Sequence, residues 1–217
     1  MISKRLIAIA NMVKEGMIVC DVGTDHTYLP IYLIESGKTD KAYAIDNKPG
    51  PLKQAEKSLK EHGLEDKITL ILSDGLEKAP LDTECIVIAG MGGELIVSIL
   101  EANLQRMENV REVIVQGNTS VQKIRQYISA QKYTMLDENV VFDYKYYQII
   151  KFSLEKSEGY SEEDIWLGPV LKEKKEKSYI DFLNKRLANL DYISGFHALD
   201  GESAKEYSVL KNYLAGL

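Results

Sequence analysis

The sequence predicts an α/β fold: an open, doubly wound parallel sheet with helices on both faces, followed by a smaller helical unit. Three observations carry this reading. Short apolar runs alternate with amphipathic segments across residues 18–131. Nearly every run ends in a polar or glycine-bearing turn. The alternation then stops, and two strand-like runs precede a charged tail with leucines at helical spacing.

Residues 2–13 place Ile2, Leu6, Ile9, Ala10 and Val13 on one helical stripe, and Gly16 ends it. Ile18, Val19 and Cys20, ending in Asp21, form the continuous apolar run of a strand covered on both faces. The turn 22–27 leads into a helix from Tyr28. Pro30 is tolerated there because first-turn amides lack intrahelical acceptors. Residues 41–45, ending in Asp46, are the second strand; 51–59 is a helix closed by Gly63; 68–72 is the third strand, ending in Ser73, Asp74 and Gly75. Residues 85–88 are a strand opening into a glycine turn, Ala89-Gly90-Met91-Gly92-Gly93, before a helix over 94–104. Residues 113–115 end in Gln116-Gly117-Asn118 and precede a helix over 121–131.

Residues 134–142 and 146–152 read as strands separated by Asp143-Tyr144-Lys145, hence a hairpin that adds an antiparallel strand to the sheet. That closing matches the seven-stranded sheet of class I methyltransferases, a Rossmann-like fold. After Phe152 the composition shifts, and 155–164 reads as an acidic linker. Leu171, Ile180, Leu183, Leu187, Leu190 and Ile193 mark one helix, and Tyr207, Leu210, Tyr213 and Leu214 a second, with the turn between Gly195 and Gly201. This antiparallel, coiled-coil-like pair is too apolar along one stripe to stand free in water. The expected division is 1–154 and 155–217, with the stripe packed in cis or pairing two chains as a homodimer. The run 172–177 reads as a solvated helix face.

At 217 residues, 45% hydrophobic and 28% charged, the composition excludes disordered and fibrous classes. No apolar run approaches the roughly 20 residues of a membrane span, and the first residues lack the pattern of a signal peptide. Cys20 and Cys85 sit in apolar runs and read as reduced core thiols of a cytoplasmic protein. No Cys/His cluster has metal-ligand spacing, so no metal is expected. The net charge of −6 counts against a broad nucleic-acid surface.

Ligands of open α/β sheets collect at the carboxyl ends of the strands, so the turns there are the candidate site. The first turn has Gly23 but not the other glycines of G-x-G-x-x-G, and Asp25 and His26 stand where a pyrophosphate would need close backbone approach. An acid there repels phosphate and tolerates a sulfonium or ammonium cation. Asp46 is placed to accept from ribose hydroxyls, and Asp74 from the exocyclic amine of an adenine. Adenine, ribose, cation and no phosphate describe S-adenosylmethionine, with a nicotinamide cofactor as the alternative. Each residue also has a plainer reading. Asp21 and Asp46 suit helix caps, His26 suits a turn, and the glycines at 90, 92 and 93 suit close packing. His62 and His197 read as surface or structural residues.

The strings Asp21-Val22-Gly23-Thr24-Asp25-His26-Thr27-Tyr28-Leu29-Pro30 and Ile88-Ala89-Gly90-Met91-Gly92-Gly93 resemble the bacterial TrmK family of S-adenosylmethionine-dependent tRNA (adenine-22-N1)-methyltransferases. Lys4-Arg5-Leu6, Ser73-Asp74-Gly75 and the helical tail are similar too, so the resemblance spans essentially the whole chain. One departure is Gly117, where the family often has proline between Gln116 and Asn118. The resemblance implies S-adenosylmethionine as cofactor and tRNA as partner. It implies that Gly23 admits the methionine moiety, Asp46 holds ribose, and Asp74 with Gly75 faces adenine. Asp21, Ala89, Gly90 and Met91 would complete the cofactor site, the 89–92 segment standing where many amino-methylating enzymes carry an Asn/Asp-Pro-Pro-aromatic motif. Asp25, with His26 beside it, is the candidate for catalysis at the acceptor base, and Tyr28, Gln116 and Asn118 for contacts to that base. The tRNA footprint is expected at Lys4, Arg5, Lys14 and Lys48, and at Lys172, Lys174, Lys175 and Lys177. The rival functions are a non-catalytic cofactor-binding scaffold and a methyltransferase of the same fold acting on a small molecule or protein.

Overall fold

The computed structural model describes residues 2–24 and 26–217, without the side chain of Arg106. Seven strands form one sheet in the order β3-β2-β1-β4-β5-β7-β6. β1 (Val19–Val22), β2 (Ala42–Asp46), β3 (Ile68–Leu72), β4 (Cys85–Gly92) and β5 (Glu112–Thr119) run parallel. β6 (Tyr133–Asp143) and β7 (Lys145–Lys156) form a hairpin, and β7 pairs antiparallel with β5. The expected sheet and its antiparallel closing strand are therefore present. The hairpin turn is tighter than expected, with Tyr144 alone between the strands, at φ +61°.

Strand alternation sorts the helices onto two faces. Cys20, Val22, Ile86, Ile88, Val113 and Val115 point to one face, where α4 (Gly93–Asn103) and α5 (Val121–Ala130) bury Ile96, Leu100, Ile124 and Ile128. Val19, Cys85, Val87 and Ile114 point to the other, under Ile9, Ala10 and Val13 at α1 (Lys4–Met12) and Leu29 and Leu33 of α2 (Tyr28–Glu35). α3 (Pro49–His62) covers Ala42, Ala44 and Ile68 through Leu59. The same alternation turns Asp21, Ala89 and Gln116 toward the α1 face, where α1 begins. This gathers Asp21, Ala89 and Gln116 of three strands near the N-terminal end of α1.

β4 does not end at Ile88. It continues through Gly92 with shifts of register at Ala89/Met91 and Met91/Gly92, so the expected glycine turn is a bulged strand end. β5 likewise runs on through Thr119.

The expected linker is short: β7 reaches Lys156, and a Ser161–Asp164 capping box opens α6 (Glu162–Leu167). α7 (Pro169–Lys174), α8 (Lys177–Ser194) and α9 (Gly201–Ala215) follow. The charged run at 172–177 is not one solvated helix face. Lys175 takes φ +49° and breaks it. Lys172 pairs with Glu163 and Asp164, Lys174 with Asp137, and Lys177 with Asp181. The apolar stripe packs within the chain, where Leu171, Leu183, Leu190 and Leu210 are buried with Val140 of β6.

A buried ion pair ties this packing to the sheet. Arg125 of α5 meets Glu138 of β6 at 2.7 Å, both side chains sealed from solvent. Arg125 also donates to Gln148 of β7 and to the Ile165 carbonyl, while Glu138 accepts from the Val170 and Leu171 amides. Each nitrogen of the guanidinium and each oxygen of the carboxylate therefore has a partner on a neighbouring element, as a buried charge needs.

Candidate active site

Two cavities lie side by side at the carboxyl ends of the strands. The first, about 470 Å³, has Ser3 and Arg5 of the N-terminal segment, Asp21, Gly23, Tyr28, the Ala89–Gly90–Met91 bulge, Asn118 and the hairpin residues Lys145 and Tyr147 in its wall. The second, about 390 Å³, takes Gly23 and Met91 from the same wall. It adds Asp46 at the end of β2 with Asn47 and Lys48 after it, Asp74 and Gly75 after β3, and Leu95 and Ile99 of α4. Gly23 and Met91 form the boundary between the two.

That boundary has no room for a larger residue. A Cβ on Gly23 would stand 2.1 Å from Met91 Cε, and the backbone there has φ +77°. Gly90, at φ +82°, lets the β4 bulge turn its carbonyl to Asn118, whose Nδ2 donates to it at 2.7 Å. The next turn is strained at two consecutive non-glycine residues, His26 at φ +57° and Thr27 at φ +60°, as residues beside functional sites often are. The His26 ring lies 5.5 Å from that of Tyr28.

The electrostatics differ along the crevice. Burial pushes the Asp21 carboxyl up to about 6. The Thr24 hydroxyl and the Arg5 guanidinium oppose the rise, and Asp46 adds to it. A cation bound beside Asp21 would restore its charge. Asp46 Oδ1 accepts from the Lys48 amide at 2.8 Å, and the Ser73 amide donates to the Asp46 carbonyl, so the ends of β2 and β3 are fixed together. These acidic ends, with no glycine-rich phosphate cradle, fit a nucleoside carrying a cation. The close approach at Gly23 fits a slender chain crossing between the cavities.

Of the residues expected from sequence, Asp21, Gly23, Tyr28, Ala89, Gly90, Met91 and Asn118 line the first cavity, and Asp46, Asp74 and Gly75 the second. Asp25 lies outside the described residues. Gln116 is placed differently: it is wholly buried, and its amide is engaged by Arg5 and Asn118. Of the expected phosphate contacts, Arg5 and Lys48 reach the cavities, whereas Lys14 follows the far end of α1 and lines neither. Sequence reasoning missed Ser3, Lys145, Tyr147, Asn47, Leu95 and Ile99. Lys145 and Tyr147 arrive only because β7 folds back beside β5, and nothing in their local sequence marks them.

Sheet order and crevice together define a class I methyltransferase. The chain matches the methyltransferase domain family over residues 2–150. It is 34% identical over 151 residues to a protein of Bacillus subtilis strain 168 named tRNA (adenine(22)-N(1))-methyltransferase, covering 69% of this chain and 63% of that protein. A Streptococcus pneumoniae protein solved with S-adenosyl-L-methionine superposes with a TM-score of 0.90 at 32% identity, over 99% of this chain and 100% of that one. M. capricolum TrmK, solved with S-adenosyl-homocysteine, superposes with a TM-score of 0.86 at 31% identity, over 99% and 98%. The chain belongs to the TrmK family of methyltransferases.

Proposed function

We propose that the protein transfers a methyl group from S-adenosylmethionine to N1 of adenine 22 in tRNA. The observation that carries this is the pair of cavities meeting at Gly23 and Met91. One is flanked by the acids of β2 and β3, the other by cations and an aromatic ring. Asp46 would hold the ribose hydroxyls and Asp74 with Gly75 the adenine, while Gly23, Asp21 and the Ala89–Gly90–Met91 backbone would take the methionine end. The target base would enter the first cavity.

When bound, S-adenosylmethionine supplies an electrophilic methyl on a sulfonium sulfur. Adenine N1 already carries its lone pair, so the chain need not create a nucleophile. Its task is to hold the base in line and exclude water. Methylation leaves positive charge on the ring and makes the exocyclic amine acidic. A carboxylate near that amine favours the charge and its later loss, and Asp25, with His26 beside it, is assigned this role. Because N1 lies on the pairing edge, the base must first leave its stack or tertiary contact, and Tyr28, half exposed at the cavity, offers a face to receive it. Asp25→Asn and Asp25→Ala are expected to keep cofactor binding and lose turnover; near wild-type turnover in both overturns that role.

The test of the function is reaction with unmodified tRNA, followed by mass-spectrometric mapping of the product nucleoside. 1-Methyladenosine at position 22 is expected. Cofactor binding without incorporation marks a scaffold, and incorporation only into protein or free nucleosides marks another substrate class.

No helix of the described residues is long and apolar enough to cross a membrane, and a tRNA substrate supports a cytoplasmic location. The two-part organisation at 1–154 and 155–217 is retained as a proposal, with the helical unit anchored by the Arg125–Glu138 pair. A homodimer through the helices would have to use their tip, where Tyr192, Ile193 and Phe196 are exposed, because the main stripe is already buried. Light scattering decides it.

A further inference from the structure

A chain of hydrogen bonds runs from α1 into the first cavity. Arg5 Nη1 donates to Gln116 Oε1 at 2.6 Å, Gln116 Nε2 donates to Asn118 Oδ1 at 3.2 Å, and Asn118 Nδ2 donates to the Gly90 carbonyl at 2.7 Å. Primary amides are electronically ambiguous, able to turn either end toward a neighbour. Here the ambiguity is removed at both ends. A guanidinium has five N–H donors and no acceptor, so Gln116 must present oxygen to Arg5 and N–H to Asn118. The Gly90 carbonyl can only accept, so Asn118 must present N–H to it. Gln116 is wholly buried, which makes a reversed and unpaired orientation costly. Arg5 is itself fixed: its backbone amide donates to Asp143 Oδ2, and its guanidinium lies 5.5 Å from the centre of the Tyr147 ring.

The consequence lies at the cavity. Asn118 is exposed and lines the first cavity beside Gly90 and Met91. Its oxygen is taken by Gln116 and one amide proton by Gly90, which leaves its second amide proton to offer a ligand. We propose that Arg5, Gln116 and Asn118 form a one-way donor chain that presents an Asn118 N–H to a ring nitrogen of the target adenine, Arg5 and Gln116 acting as positioning residues. Because N1 must keep its lone pair for attack, the accepting atom is N7 or N3. This rests on the adenine-methylating function above and adds the group that orients the base.

The test is a cycle of enzyme and substrate variants. Wild type and Asn118→Ala are assayed on tRNA carrying adenosine, 7-deazaadenosine or 3-deazaadenosine at the target position, with S-adenosylhomocysteine affinity measured alongside. On adenosine, Asn118→Ala is expected to lose about tenfold in kcat/KM, the value of one hydrogen bond, at unchanged S-adenosylhomocysteine affinity. On one of the two deaza substrates the wild type should lose its advantage over Asn118→Ala; an advantage of the same size on all three substrates overturns the contact. Gln116→Glu keeps the side-chain length and the Arg5 contact but has no N–H for Asn118, so it should reproduce the Asn118→Ala pattern across the three substrates. Wild-type behaviour of Gln116→Glu overturns the chain of polarity. Absence of methylation by the wild-type enzyme on adenosine would instead refute the parent function.

Discussion

Gly23→Ala tests the junction between the cavities, because it adds one methyl group at the point both share. Two costs can be read from the structure. The backbone there has φ +77°, a conformation that costs an L-residue about 1–2 kcal/mol. The new Cβ would also stand 2.1 Å from Met91 Cε, so the end of the methionine must move. Met91 is flexible and partly exposed, so the clash is relieved cheaply, but only by swinging its terminus into one of the two cavities. Strain should therefore appear in stability and displacement in cofactor binding. For a chain of this size about 1–2 kcal/mol corresponds to a fall in Tm of roughly 2–8 °C. S-adenosylhomocysteine affinity, measured by calorimetry, should fall by at least about tenfold, equivalent to 1.4 kcal/mol. Adding Met91→Ala to Gly23→Ala should return most of the affinity while leaving Tm low, since it removes the clash and not the strained backbone. If Gly23→Ala binds S-adenosylhomocysteine as wild type does, the junction is not where the cofactor passes.

Three further outcomes are expected. Arg125→Met leaves the sealed Glu138 carboxyl without its guanidinium partner, which should cost about 3–5 kcal/mol; Arg125→Met with Glu138→Leu should recover much of that loss in a denaturant titration, and equal losses in the single and double variants would contradict the pairing. Asp21 holds its proton in the fold up to about 6, against an ordinary value of 3.8. The apo fold should therefore lose stability as pH rises between those values and level off above, the folded state being the one that keeps the proton. In the same window the preference for cationic S-adenosylmethionine over neutral S-adenosylhomocysteine should grow with pH, and a flat ratio would remove Asp21 from the cation site. Lys145→Ala should weaken tRNA binding and lower the slope of log affinity against log salt by about 1, leaving S-adenosylhomocysteine affinity unaltered; an unchanged slope means Lys145 meets no phosphate.

The sheet was legible because parallel strands covered on both faces leave continuous apolar runs, as in Ile86-Val87-Ile88, and helices leave stripes, as in Ile9 and Val13. Strand ends were less so. Ala89 to Gly92 reads as a turn by composition, yet the bulge lets the strand continue, and a bulge depends on the partner strand rather than on local residues. The break at Lys175 was invisible because a lysine at φ +49° has no mark in sequence; the ion pairs of its neighbours hold it. In the site, the acids at 21, 46 and 74 were legible from position alone. Gln116 was recognised as polar and expected to contact the acceptor base; its burial and its bond to Arg5, 111 residues away in the chain, have no local mark in the sequence.

The net charge of −6 acquires a spatial meaning once the two cavities are separated. Asp46 and Asp74 serve the second cavity and Asp21 lines the first beside the junction, where a cationic cofactor gains from them and a phosphate would be repelled. At the first cavity Arg5 and Lys145 both stand over the ring of Tyr147, 5.5 Å and 5.0 Å from its centre. An aromatic face attracts a cation without neutralising it, so these two keep their charge for an incoming polyanion in a way that the paired Lys172 and Lys174 do not. Arg5 has a second use as the start of the donor chain, and the two uses are compatible because guanidinium donors are numerous and point in several directions. A phosphate drawn to this rim would then pull on the residue that fixes the polarity of Gln116 and Asn118. Arrival of the RNA backbone and orientation of the base would meet in one side chain of α1.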